Sequence, residues 1–137
     1  MALQQMVNKV CPDVQFVLFK EYRDFYEFNG HCICLEHGKD ERFHKKGLPL
    51  NLDDKTKTML FEWLRYKGLS ECKNIHFIKG DLHSNNLNSC EAFTYRNCLS
   101  LFGASDYSNM NFSRNSYGIS YELFIGDNMI SGTFENM

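Results

Sequence analysis

Gly30-His31-Cys32-Ile33-Cys34-Leu35-Glu36-His37-Gly38-Lys39-Asp40-Glu41-Arg42-Phe43-His44 is the stretch on which the fold turns. Its His37-Gly38 pair contains the residue most tolerant of positive φ, which predicts a hairpin with a two-residue loop. In that register Glu36 opposes Lys39 and His31 opposes His44. Directly opposed side chains share a sheet face with Cβ atoms about 4.5–5.5 Å apart, so two imidazoles would stand side by side. A loop longer by one residue pairs His31 with Lys45 instead.

Upstream, Val14 to Phe28 is rich in Val, Phe and Tyr with interspersed charges and reads as two short strands separated by a turn. Downstream, Pro49 marks a joint. Leu52 to Lys67 then reads as a helix: Asp53 or Asp54 can cap it, Met59, Leu60, Trp63 and Leu64 recur at helical spacing, and Gly68 follows. Asn74 to Lys79 reads as a strand, Gly80 to Asn88 as a polar loop, and the segment from Ser89 or Cys90 to Gly103 as a second helix. The Ser-, Asn- and Gly-rich tail fits either a hairpin around Tyr121 to Ile130, turning near Gly126-Asp127, or partial disorder. The expected architecture is α+β, a small antiparallel sheet packed on two or three helices. The expected organisation is an N-terminal extension over 1–13, a domain over 14–103 and a polar C-terminal extension over 104–137.

With 137 residues, 43% of them hydrophobic, the chain is one domain long and too apolar for a disordered tail. Fifteen Lys plus Arg against 17 Asp plus Glu leave a charge of −2, which argues against a nucleic-acid partner. No apolar run approaches the roughly 20 residues that cross a bilayer. The N-terminus lacks the blocks of a secretory signal, which places the chain in the reducing cytoplasm with its six cysteines as thiols.

Cys90 stands where the polar loop runs into the second expected helix. A thiol at a helix N-terminus feels unsatisfied N–H groups and the positive dipole end, which favour thiolate. His31 on the neighbouring sheet would take the proton as base, and His44 would fix the His31 tautomer. The candidate catalytic set is therefore His31, His44 and Cys90, with no metal and no cofactor.

The order His31, His44 and then Asn88-Ser89-Cys90-Glu91-Ala92-Phe93 resembles the H-box/NC group, the lecithin:retinol acyltransferase-like relatives of NlpC-type papain-like thiol hydrolases. The match runs over roughly Val14 to Gly103, although Ser89 stands where the group usually has Asn. The resemblance implies a permuted papain-like fold and a thiol acyltransferase or phospholipase-like hydrolase acting on a lipid or acyl substrate. A branch of the group occurs as picornaviral 2A proteins, which implies a second reading: a catalytically silent viral or regulatory protein, in the host cytoplasm if viral, acting through host or cellular protein contacts rather than RNA. The nucleophile region is also similar to that of desumoylating isopeptidases, a third reading.

Other residues carry plainer expectations. Cys98 lies deep in the expected helix and reads as a core thiol. His37 reads as a hairpin tip. Cys32, Cys34, Cys72 and His76 together could in principle hold zinc, but a Cys-x-Cys pair on one strand face is a weak zinc signature.

Overall fold

The computed structural model describes residues 2–39, 47–100 and 117–135, and within them the first hairpin forms upstream of its expected position. After helix α1 (Ala2–Val10), strands β1 (Arg23–Phe28) and β2 (His31–Glu36) pair antiparallel with Phe28 opposite His31. The turn between them is Asn29-Gly30, both at positive φ, 49° and 79°. That is the left-handed pair a two-residue turn of matching twist demands, and Asn-Gly is the dipeptide that meets it most cheaply. His37-Gly38 lies just beyond the end of β2, where the His37 carbonyl accepts the Gly80 N–H at 3.1 Å. On its other side β2 runs parallel to β3 (Asn74–Lys79), with helix α2 (Asp54–Tyr66) between them in sequence. Both lateral slots of His31 are filled, by Phe28 and Asn74, so the expected register opposite His44 does not form. His44 itself lies outside the described residues.

The helix expected from Cys90 to Gly103 is replaced by strand β5 (Phe93–Asn97), parallel to β3 and flanked by the antiparallel edge strand β4 (Asn86–Ser89). The alternation Phe93-Thr94-Tyr95-Arg96 has a period of two. Phe93 and Tyr95 face the helix-side core, and Thr94 and Arg96 face the other way. The five-stranded sheet is thus mixed, in the order β1-β2-β3-β5-β4, rather than wholly antiparallel. The α+β class stands. Upstream of β1, residues 14–22 do not join the sheet.

Helix α2 forms where its periodicity places it. The Asp53 carboxylate accepts the Thr56 N–H at 2.7 Å, and Gly68, at φ 74°, follows its C-terminal end. Its Leu60 and Leu64 bury against Cys32, Cys34, Ile75, Phe77, Phe93 and Tyr95. Trp63 meets Phe77 and Phe25 edge-on, at 5.8 and 6.5 Å between ring centres. The opposite face of the sheet carries a two-stranded hairpin of β6 (Gly118–Ile125) and β7 (Asn128–Glu135), turning at Gly126-Asp127 where the sequence places a turn. No described helix is long and apolar enough to cross a membrane.

Candidate functional site

His31 is buried on the sheet face turned toward the hairpin. The Gly126 carbonyl lies 2.7 Å from its Nε2. A carbonyl only accepts, so that nitrogen carries the proton. Nδ1 is then an acceptor and receives the His76 Nε2–H at 2.8 Å, and His76 Nδ1 in turn accepts the Thr94 hydroxyl at 2.9 Å. A single proton arrangement satisfies β2, β3, β5 and the hairpin turn together. Phe124 of β6 covers both imidazoles at 4.8 and 5.2 Å. Burial, with a smaller contribution from the neighbouring His31, pulls His76 down to about 4.

Cys90 lies in the β4–β5 turn, its N–H bonded to the Phe93 carbonyl at 3.0 Å and its side chain packed on the helix-side core. No helix begins there, so no helix dipole acts on the sulfur. The structure does not bring His31 and Cys90 together: they sit on opposite faces of the sheet, and both ring nitrogens of His31 are occupied. The four residues weighed for zinc are divided in the same way. Cys32, Cys34 and Cys72 gather on the helix side, and His76 lies on the other. Burial pushes the Cys98 thiol up.

The hairpin alternates strictly. Ser120, Glu122 and Phe124 face the sheet, and Ile119, Tyr121, Leu123 and Ile125 face solvent. Its attachments run its length: Gly126 on His31, Arg96 Nη2 donating to the Gly132 carbonyl at 3.1 Å, and Asn85 donating to Thr133 at 3.2 Å. Arg96 and Glu122 form a buried ion pair at 3.0 Å whose geometry falls short of a hydrogen bond, leaving the carboxylate oxygens without one. Burial, partly countered by Arg96, raises the Glu122 carboxyl. On the outer face Tyr121 lies across Gly132 and 5.5 Å from Phe134. Ile119, Tyr121, Leu123, Ile125, Ile130 and Phe134 remain exposed there, from 42% for Tyr121 to 57% for Phe134. Beside the hairpin, Tyr26, Phe28 and Leu35 are exposed on the same side of the sheet. The sequence reading missed this surface, although the period-two alternation from Ile119 to Ile125 was there to find it.

No protein-family pattern and no curated protein matches the chain. Two solved structures are similar to it. Vps29 from Entamoeba histolytica, complexed with Zn2+, matches over 82% of this chain and 59% of its own, at 13% identity and a TM-score of 0.50. Vacuolar Protein Sorting 29 from Cryptosporidium parvum matches over 98% of this chain and 75% of its own, at 12% identity and a TM-score of 0.47. The likeness to the Entamoeba protein is one of fold, and this chain spans about three fifths of that protein's length.

That likeness overturns the resemblance to the acyltransferase-like group, and with it the thiol acyl-transfer, viral 2A and isopeptidase readings that hung on it. The physical grounds agree: a parallel β-α-β core and a cysteine in a turn rather than at a helix start. A lipid or acyl substrate loses its support. Among the described residues no three His, Cys, Asp or Glu groups are placed so that they could hold a metal ion, and His37 Nε2 and Asp81 Oδ1 approach only to 3.7 Å. The described residues do not make up a zinc site.

Proposed function

We propose that this protein works by holding another protein, docked on the outer face of the β6–β7 hairpin. The observation that carries this reading is the uncovered apolar surface of Ile119, Tyr121, Leu123, Ile125, Ile130 and Phe134. Contiguous exposed apolar area rimmed by polar groups marks interaction sites, and aromatic residues are favoured at their centres. No Lys or Arg occurs between residues 117 and 135, whereas Asp127 and Glu135 stand exposed at the two ends of the hairpin. An anionic membrane or a nucleic acid would be repelled by that rim. A protein segment with an apolar centre and basic flanks complements it.

A photo-crosslinking residue placed at Ile125 tests the reading, with the same residue at half-exposed Lys57 of α2 as the control. One discrete protein band from position 125, absent from position 57 and lost when Leu123→Glu is added, is expected. Labelling of lipid alone, of a second copy of this chain, or no labelling above the control would overturn the proposal.

A further inference from the structure

We infer that the His31–His76 pair is an acid-released latch for the hairpin: a proton added to the pair breaks the hydrogen-bond chain that ends on the Gly126 carbonyl, and β6–β7 lifts from the sheet. The argument is one of valence. In the closed state all four ring nitrogens are committed, two as donors and two as acceptors. An added proton has two places to go. On His31 Nδ1 it would face the His76 N–H, donor against donor. On His76 Nδ1 it would force the Thr94 hydroxyl to turn and would place a cation beneath Phe124 in a buried site. Lifting the hairpin gives both rings to water, so the proton is accepted most easily in the open state.

The other charged and titratable groups on this side do not supply a counter-ion. Arg96 of β5 would repel the new cation. Glu122 of β6 is engaged with Arg96, Asp127 in the turn points to solvent, and Tyr26 of β1 is half exposed beside Ile33. Glu122 works in the opposite sense: its raised carboxyl favours the closed form as pH falls. The latch is therefore tested by variants of His76 rather than by acid alone.

The linkage sign follows from the depressed His76. Between 6.5, its ordinary value, and about 4, the open hairpin binds a proton that the closed one excludes. Opening should rise about 25-fold from pH 7.5 to pH 5 by this residue alone. Under the docking role proposed above, a partner held at neutral pH would be released in an acidified compartment.

β6 and β7 pair only with each other, and a two-stranded hairpin off its sheet is marginal on its own, so hydrogen exchange of their amides, corrected for intrinsic rates and measured on the chain without any partner, reads the latch. Opening of the wild type should rise by that order relative to His76→Gln, whose amide keeps the donor to His31 but cannot take a proton in this range. A Gln variant whose opening responds to pH as the wild type's does overturns the latch. Should the variant fail to fold, the NMR titration of His76 in the wild type decides: a midpoint at or above 6 with the hairpin amides still protected overturns it. Because no partner is present, failure of the latch leaves the docking reading untouched, and the crosslinking result leaves the latch untouched.

Discussion

Single residues hold the costliest features of this fold, and Lys79 is the sharpest case. Its side chain is buried at 2% exposure, donates to Asn97 Oδ1 at 2.5 Å and lies 5.6 Å from the centre of the Tyr95 ring. Burial, partly offset by Glu36 and Asp81, pulls the ammonium down to about 8. The unfolded chain therefore holds a proton between about 8 and 10.5 that the folded chain has lost, so stability rises with pH across that window. Urea unfolding at pH 7 and pH 9.5 should show the wild type gaining about 2 kcal/mol relative to Lys79→Met; equal gains would place the charge elsewhere. Asp53 behaves with the opposite sign. The Thr56 N–H and hydroxyl hold its carboxyl low, so its contribution is present above pH 3.8 and fades as pH falls through the lower folded value. Asp53→Asn should keep the cap and lose that acid sensitivity, whereas Asp53→Ala should lower the melting temperature at neutral pH.

At the level of elements, legibility followed periodicity. Helix α2 and strand β3 could be read because Leu60, Trp63 and Leu64 repeat at helical spacing and because Asn74 to Lys79 is short and bounded by turn residues. Strand β5 was misread because Phe93-Thr94-Tyr95-Arg96-Asn97 carries polar side chains that tertiary partners bury. Arg96 is buried against Glu122, and Asn97 bonds Lys79 and the Ser84 carbonyl. A window of five residues cannot announce partners that lie up to 36 positions away. The hairpin was readable at its Gly126-Asp127 turn but not in its docking, which rests on that same long-range pairing. Removing one member of the Arg96–Glu122 pair leaves a buried charge alone, so Arg96→Met and Glu122→Leu should each cost about 3–5 kcal/mol. The double variant should recover most of that loss. Urea midpoints for the four proteins check it, and additive losses would show that the pair is not coupled.

At the scale of the whole molecule the sheet divides two kinds of packing. Its helix side is a continuous apolar core of Cys32, Cys34, Leu60, Leu64, Ile75, Phe77, Phe93 and Tyr95. Its hairpin side is joined largely through polar contacts: the imidazole chain, the Arg96–Glu122 pair and two further hydrogen bonds to β7. His31 and Cys90 fall on different sides of this division: His31 points from β2 toward the hairpin, Cys90 packs from the β4–β5 turn on the helix-side core, and β3 runs between β2 and β5. Non-directional apolar burial changes little with pH, whereas a fixed proton arrangement does. The two sides should therefore part company on acidification. Trp63, the sole tryptophan, reports the helix side through its contacts with Phe25 and Phe77. Between pH 7.5 and pH 5 its emission and its urea midpoint should hold nearly constant while protection of the β6–β7 amides falls. Simultaneous loss of both signals would mean that the hairpin and the helix layer form one cooperative unit, and that the polar side is no weaker than the apolar one.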